Sequence, residues 1–353
     1  MLFVFTLFEG IIMKRKKIIK FIGQTLLILV MIGFLYYMFK DSYKEIWAQL
    51  KQVDRGLFFL AVCLGNAYYF VDAYVYWSSL RREKIKVNFL RCVAISFMSV
   101  FFNVTTFGVG IKPAQVAYLH RKGVDAGKAF GILSAPFVFS KAAIIIYALV
   151  MLFLNNNFVM DNFADTFGYI YAGVGMSLFI ITVIILICSA KWFHKFLGKI
   201  LDFIFTKGKL AKYNYNLVFK AQLEKLYDAS VLIIRRPLMW LKYVPINLLR
   251  NSLWYLIPTI GIYALGGDLG DVTFWQALTV TALMQLLVGA IPTSAGVGAL
   301  EVVFSLLFAA IFGKIMAGSC MIFYRLATYY IPFIISIIVL FILEYDLRNV
   351  NSE

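Results

Sequence analysis

Two glycine- and hydroxyl-rich segments interrupt parts of this chain that are otherwise apolar enough to lie in a lipid bilayer. They are residues 105–110, Thr-Thr-Phe-Gly-Val-Gly, and residues 292–298, Pro-Thr-Ser-Ala-Gly-Val-Gly. Lipid offers backbone amides and carbonyls no hydrogen-bond partner, so such segments occur at membrane depth only where protein or a wet cavity surrounds them. Both are therefore candidate substrate-site segments, and their shared Gly-Val-Gly is typical of duplicated broken helices.

The composition places the chain among polytopic membrane proteins. Hydrophobic residues make up 62% and charged residues only 15% of the sequence, whereas soluble domains are about half apolar and about a quarter charged. The 34 Lys and Arg exceed the 18 Asp and Glu; between apolar spans, such an excess indicates topology and contact with anionic lipid. We therefore expect a multi-pass protein of the cell membrane, with membrane lipids rather than nucleic acid as partners. The cysteines are isolated and histidines are scarce, so the sequence predicts neither a metal site nor a cofactor.

Apolar stretches near the bilayer-crossing length of about 20 residues predict full spans. They are 21–39, 56–80, 129–154, 167–189, 244–265 and 317–343. The connections 155–165 and 266–272 contain no Lys or Arg, which predicts that they are external and that both termini are cytoplasmic.

One membrane domain, residues 14–343, is predicted between a short leader and a short cytoplasmic tail, 344–353. Residues 1–13 precede a basic cluster instead of following one, so they are either an interfacial leader or the product of a start assigned too far upstream. Inside the domain, residues 190–236 are long and basic, with lysines opposite an aromatic face. This pattern predicts a cytoplasmic amphipathic helix that anchors at the membrane surface, and docking of a partner protein is the alternative.

Two further apolar stretches do not fit as ordinary spans. Lys and Arg flank residues 92–111 on both sides, which predicts cytoplasmic flanks and a re-entrant hairpin that turns near Asn103. Residues 273–313, broken in the middle, must return to the outside before the last span. We therefore predict an all-α polytopic fold with about six full spans and two oppositely inserted re-entrant hairpins, arranged as an inverted repeat. The alternative is about eight plain helices with glycine-containing packing interfaces.

Ionisable residues also lie within or at the edges of the apolar stretches. They are Asp72, Lys141, Arg250, Glu301 and Arg325. Each charge costs about 2.5–3.5 kcal/mol at the bilayer centre, so each is expected to be functional or paired. One interpretation is that they neutralise one another as structural ion pairs. The other is a polar groove in which the cations hold a lipid phosphate while a carboxylate takes an amine or relays a proton.

Three motifs in order along the chain resemble those of one family. The first runs from Phe102-Asn103 to Gly110 and continues with Lys112-Pro113, Gln115 and Arg121; the second is Pro292-Thr293 with Gly296, Gly298 and Glu301; the third is Tyr324-Arg325 followed by Tyr329-Tyr330 and Pro332. Together they resemble the flippase-like membrane proteins related to the transmembrane part of lysylphosphatidylglycerol synthase. The resemblance covers nearly all of the chain.

The resemblance implies a lipid flippase that carries a phospholipid, such as aminoacylated phosphatidylglycerol, or another lipid-linked head group. In two-part relatives a separate cytoplasmic domain performs aminoacyl transfer, and no such domain is visible in this sequence, so transport is expected rather than catalysis. A membrane-embedded lipid-modifying enzyme, a scaffold for a separate synthase and a homo-oligomer remain alternatives. No P-loop is visible, so transport would be passive or coupled to an ion gradient.

The predicted substrate contacts come from both hairpins and from the ionisable residues. They are Asp72, Asn103, Thr105, Thr106, Gly108, Gly110, Lys112, Gln115, Arg121, Lys141, Arg250, Pro292, Thr293, Ser294, Gly296, Gly298, Glu301, Arg325 and Tyr329.

The first prediction concerns the two flanks of residues 92–111. In a background without native cysteines, single cysteines at Lys86 and Lys122 should both react with a membrane-impermeant maleimide only from the cytoplasmic face, because both flanks are rich in Lys and Arg. A cysteine at Asp161, in a connection predicted to be external, is the control for the opposite face. Labelling of positions 86 and 122 from different faces would exclude a re-entrant hairpin.

Overall fold

Helices account for all the regular structure in the residues described by the computed structural model, which are 43–106, 108, 110–190, 192, 196, 236–291 and 298–350. The α-helices are α1 (Tyr43–Lys51), α2 (Arg55–Arg82), α3 (Phe89–Thr105), α4 (Ile111–Arg121), α5 (Ala126–Leu154), α6 (Asn156–Phe163), α7 (Phe167–Ser189), α8 (Pro237–Ala264), α9 (Phe274–Ala290), α10 (Ala299–Phe312), α11 (Lys314–Arg325) and α12 (Ile331–Val350). A 3₁₀ turn, Ala164–Thr166, precedes α7, and a π-helical segment, Leu326–Tyr330, joins α11 to α12.

Long apolar helices confirm that the chain is a multi-pass membrane protein. Among the described residues, the helical stretches long and apolar enough to cross a membrane are Arg55–Arg82, Ala126–Leu154, Asn156–Ile180 and Lys314–Leu343. The predicted span 244–265 lies in α8, which begins earlier, at Pro237, and has 28 residues. The predicted span 21–39, the leader 1–13 and nearly all of the basic loop 190–236 lie outside the described residues.

Two pairs of shorter helices form hairpins. Helix α3 packs against α4 and helix α9 packs against α10. Helices α3 and α9 have 17 residues each and α10 has 14, all below the length of about 20 residues that crosses a bilayer. Lys86 and Lys122, which flank the first hairpin, line the same cavity, so the chain enters and leaves this hairpin at one end. Insertion of the hairpins from opposite faces, and their relation as a repeat, stay predictions.

The predicted bounds of the first hairpin, 92–111, were wrong at its second arm. That range covers most of α3 and the turn but omits the return helix α4, which ends at Arg121. The reason is Lys112, which indicated a solvated loop. In the structure its Nζ donates to the carbonyl of Leu133 at 2.8 Å inside the fold. The second hairpin follows its predicted bounds, since Thr273 caps α9 and Gly313 ends α10.

The connection 155–165, predicted as a loop, is largely helical. Helix α6 occupies most of it because Val159 and Phe163, one turn apart, are buried against the main apolar core. The Asn155 amide also donates to the hydroxyl of Thr279 on α9 at 2.9 Å. Tertiary packing therefore overrides the loop-like composition of this segment. The last helix likewise continues to Val350, beyond the predicted end of the span at residue 343.

Helices α2 and α8 form the central pair, with α5 and α9 packed alongside α8 and with α3 packed against α2 and α12. Helix α2 also approaches the π-helical segment very closely at Gly65. A Cβ atom added at Gly65 would lie 2.6 Å from the carbonyl oxygen of Ala327. Because this obstacle is backbone and not a flexible side chain, only glycine fits at residue 65 without displacing a helix.

Gly65→Ala should therefore destabilise the protein by about 1–3 kcal/mol, the usual effect of overpacking a buried contact. Thermal unfolding of the detergent-purified chain would show this as a lower melting temperature. Gly175→Ala on α7 is the matched control, because nothing lies within 4 Å of a Cβ added there and alanine is the better helix former. Equal melting temperatures for the two variants would contradict the close approach.

Candidate functional site

A buried ion pair joins the two central helices. Arg250 of α8 and Asp72 of α2 lie with Nη1 and Oδ1 2.5 Å apart, and their side chains are 5% and 16% exposed. The second carboxylate oxygen of Asp72 accepts a hydrogen bond from Ser96 of α3 at 2.9 Å. Arg250 also donates to the hydroxyl of Ser140 on α5. One pair of charges thus connects four helices, and we refer to these four residues as the α2–α8 cluster.

Lys112, near the start of the return helix of the first hairpin, lies beside this cluster. Besides the Leu133 carbonyl, its ammonium donates to the hydroxyl of Tyr76 at 3.4 Å and lies 5.3 Å from the centre of that ring. Tyr76 follows Asp72 by one turn of α2, so both side chains lie on the same face of the helix. The first hairpin therefore places a cation next to the Arg250–Asp72 pair.

Gln115 holds the two arms of this hairpin together. Its buried amide donates to the carbonyl of Ile95 at 3.1 Å and to the hydroxyl of Ser99 at 2.7 Å, both on α3. Its Oε1 accepts from Lys112 at 3.3 Å. Because every one of these contacts crosses between the arms or reaches the Lys112 ammonium, Gln115 positions Lys112 against the cluster.

The turn of the first hairpin satisfies much of its own backbone. Thr106 Oγ1 accepts from the Gly110 amide at 2.7 Å and donates to the carbonyl of Phe102 at 2.5 Å. Gly108 has φ +82° and donates its amide to the Asn103 carbonyl at 3.1 Å. A positive φ favours glycine at this position. These polar groups build the turn, and the contacts of the described residues do not join them to the α2–α8 cluster.

A second buried ion pair belongs to the second hairpin. Arg325 of α11 donates from Nε and Nη2 to Oε1 of Glu301 on α10, at 2.9 and 2.6 Å. The other oxygen, Oε2, accepts from the amide of Gly298, the N-cap of α10, at 2.7 Å. The guanidinium carbon lies 5.0 Å from the ring centre of Tyr329. Glu301 therefore caps its own helix and neutralises Arg325 at the same time.

Aromatic residues of α2 extend from Arg250 of the first ion pair toward the π-helical segment that follows Arg325 of the second. The Arg250 guanidinium lies over the ring of Tyr68, 4.6 Å from its centre, and the ring centres of Tyr68 and Tyr69 are 5.3 Å apart. The Tyr69 hydroxyl reaches the carbonyl of Thr328 in the π-helical segment at 3.5 Å. The aromatic residues of α2 therefore extend from the first ion pair to the segment that directly follows Arg325.

A row of unsatisfied polar side chains follows one face of α8. Asn247 Oδ1, Asn251 Nδ2, Tyr255 Oη and Thr259 Oγ1 are buried and have no hydrogen-bond partner among the described residues. The four positions recur every four residues, so they form a stripe, here the α8 polar stripe. Buried polar groups normally find a protein or water partner, so this stripe indicates a place for water or for a polar ligand. The sequence reasoning missed it, although the four-residue spacing could be read from the sequence.

Lys141 on α5 is a half-buried cation of a different kind. Its ammonium lies 5.6 Å from the ring centre of Phe137, and a Cβ added at Gly289 of α9 would lie 3.5 Å from it. In the described part of the chain, no carboxylate forms an ion pair with Lys141. An intramembrane charge without a counterion is a functional candidate by default.

Other predicted site residues have different places in the structure or lie outside the described residues. Arg121 is exposed at the far end of α4. The hydroxyl of Thr105 donates to the carbonyl of Phe101 at 2.9 Å, within its own helix. Four predicted residues lie outside the described residues, namely Pro292, Thr293, Ser294 and Gly296.

The structure supports the ion-pair interpretation of the intramembrane charges, which gives a test. Asp72→Asn leaves Arg250 buried without its counterion, so it should cost about 3–5 kcal/mol. The double variant Asp72→Asn with Arg250→Gln should lose less than the sum of the single variants, because the two residues are in contact. Thermal unfolding in detergent measures both effects, and Asp161→Asn, at an exposed position of α6, is the control. Strictly additive losses would show that the pair is not coupled.

Residues 22–336 match the family described as the lysylphosphatidylglycerol synthase TM region. The matched range includes both hairpins, both ion pairs and the α8 polar stripe, and it confirms the resemblance of the three sequence motifs. No curated protein gives a significant match to the chain. The chain belongs to the lysylphosphatidylglycerol synthase transmembrane-region family.

Proposed function

We propose that the protein is a lipid flippase that moves a phospholipid, or another lipid with a charged head group, between the leaflets of the membrane. The observation that carries this proposal is the α8 polar stripe, because its buried polar groups need partners that the described protein does not supply. A head group that crosses the hydrocarbon core needs such a lining at membrane depth, while its acyl chains stay in lipid.

The length of the stripe suits this role. Asn247 and Thr259 are separated by about 18 Å along α8, at about 1.5 Å per residue. The hydrocarbon core is about 30 Å thick, so the stripe extends over more than half of it. Arg250 follows Asn247 by three residues on α8, so its ion pair with Asp72 lies within one helical turn of the stripe. A head group therefore meets charge as well as neutral polar atoms along one helix.

The two ion pairs favour a head group that carries both signs of charge. In the structure, Arg250 and Arg325 are each neutralised by a carboxylate. If the lipid carried only a phosphate, that phosphate would replace the protein carboxylate on the arginine and leave the carboxylate without a partner. An unpaired buried charge is costly. A lipid with a phosphate and an amine offers a new partner to both members of the pair. This argument supports an aminoacylated phospholipid, such as lysylphosphatidylglycerol, as a candidate substrate.

Lys141 on α5 and Lys112 on α4 supply further positive charge. We assign Lys141 to phosphate binding because the described residues give it no counterion. Since the sequence contains no P-loop, translocation is proposed to be passive or coupled to an ion gradient. The structure is closed around the stripe, so the α2–α8 region must open to one leaflet at a time.

Lys141→Gln should slow lipid movement about tenfold or more, because a charge-assisted hydrogen bond to phosphate contributes about 1.5–3 kcal/mol. The rate is measured in vesicles as loss of protection of fluorescent phosphatidylglycerol, and of its lysyl ester, from a reductant outside. The melting temperature should stay unchanged, since the substitution strands no counterion. Lys314→Gln, at an exposed position at the start of α11, is the matched control.

Three outcomes separate this proposal from its alternatives. Wild-type vesicles that protect the fluorescent lipid as well as empty vesicles would refute a flippase. A change in the mass of the lipid would indicate a lipid-modifying enzyme instead. Equal rates for wild type, Lys141→Gln and Lys314→Gln would leave transport in place but remove Lys141 from the site.

A further inference from the structure

A basic cavity lies at the end of the first hairpin where the chain enters and leaves it. Its volume is about 400 Å³. Its walls come from the α2–α3 connection and from the α4–α5 connection, and neither ion pair of the interior lines it. Four of the lining side chains are cationic, namely Lys86, Arg91, Lys122 and Lys128.

Fewer carboxylates than cations line this cavity. Asp125 is the one acidic residue in the lining, and its Oδ1 accepts from the amides of Gly127 and Lys128 at 3.0 and 3.2 Å as the N-cap of α5. Glu83 lies 3.4 Å from the Lys128 ammonium but does not line the cavity. Among the lining side chains, cations outnumber carboxylates by four to one, which gives the cavity wall an excess of positive charge.

Two tight helix ends build the cavity. Two residues beyond the last residue of α2, Lys84 has φ +59°, and two residues beyond the last residue of α4, Gly123 has φ +85°. After each of these residues the chain folds back on its helix: the Ile85 amide donates to Leu80 at 3.0 Å and the Val124 amide to Leu119 at 3.1 Å. Such ends reverse the chain within a few residues.

The reversal brings two helix starts to the cavity. Helix α3 begins after its N-cap Asn88, between Val87 and Arg91, which both line the cavity, and helix α5 begins after Asp125. The positive ends of both helix dipoles therefore add to the charge of the side chains. The cavity combines four cations, two helix starts and a volume suited to a small ligand.

We propose that this cavity binds a phosphate group, either from a phospholipid head group or from a soluble phosphate compound. Arg91 offers a planar fork that matches phosphate oxygens, and the lysines add compact positive charges. The site is distinct from the proposed translocation site. Because its walls come from both flanks of the first hairpin, a bound phosphate would hold these flanks together and fix the hairpin on the side predicted to be cytoplasmic.

The lipid source is tested by native mass spectrometry of the full-length chain in detergent with phosphatidylglycerol. The variant K86Q/R91Q removes two charges from the cavity wall. The matched control R81Q/K84Q removes two charges from the end of α2, at exposed residues that do not line the cavity. We expect wild type and the control to retain one lipid more than K86Q/R91Q. If K86Q/R91Q fails to fold, K86Q alone replaces it.

The soluble source is tested by melting the same proteins in sodium phosphate and in sodium chloride of equal ionic strength. A phosphate-specific rise in melting temperature for wild type and R81Q/K84Q, absent in K86Q/R91Q, supports a soluble ligand; the lipid difference alone supports a head group. Equal lipid retention by all three proteins together with no phosphate-specific rise would overturn the proposal. Equal losses in both variants would overturn it too, because they would show a diffuse surface charge and not a site.

Discussion

The arrangement of the helices depends most on the ion pair between Arg250 and Asp72. Neither charge is tolerated alone in an apolar interior, so α2 and α8 must stay in the one register that joins them. Asp72 Oδ2 accepts from Ser96 of α3, and Arg250 Nη2 donates to Ser140 of α5. These two hydrogen bonds extend the constraint to α3 and α5. Apolar packing alone is less specific, because two apolar helices can pack in several registers of similar energy.

The second hairpin is fixed by the same kind of constraint, with a different construction. Glu301 belongs to the first turn of α10, where its carboxylate binds both the helix start at Gly298 and the guanidinium of Arg325. Each hairpin is therefore attached to its neighbours by a charged side chain in the first turn of its return helix. The aromatic residues of α2 extend from Arg250 to the π-helical segment that directly follows Arg325.

The sequence predicted the long helices well because the length of an apolar run limits a span, as the bounds of 167–189 show. The return arm of the first hairpin was missed because Lys112 lies inside the fold only by donating to a carbonyl of another helix, which the sequence does not show. The sequence also left open whether Arg250 pairs with Asp72 or Glu301, a choice that only tertiary packing makes. The four-residue spacing of the α8 polar stripe could be read from the sequence, but the burial of its polar atoms could not.

The π-helical segment Leu326–Tyr330 has a consequence for how the last helix serves both halves of the domain. A π turn holds one residue more than an α turn, which offsets the side chains before and after it by about 100° relative to a continuous α-helix. Arg325 can thus face the second hairpin while α12 turns its packing surface to α3 of the first. The extra residue therefore changes which face of the helix points to the first hairpin without interrupting the helix.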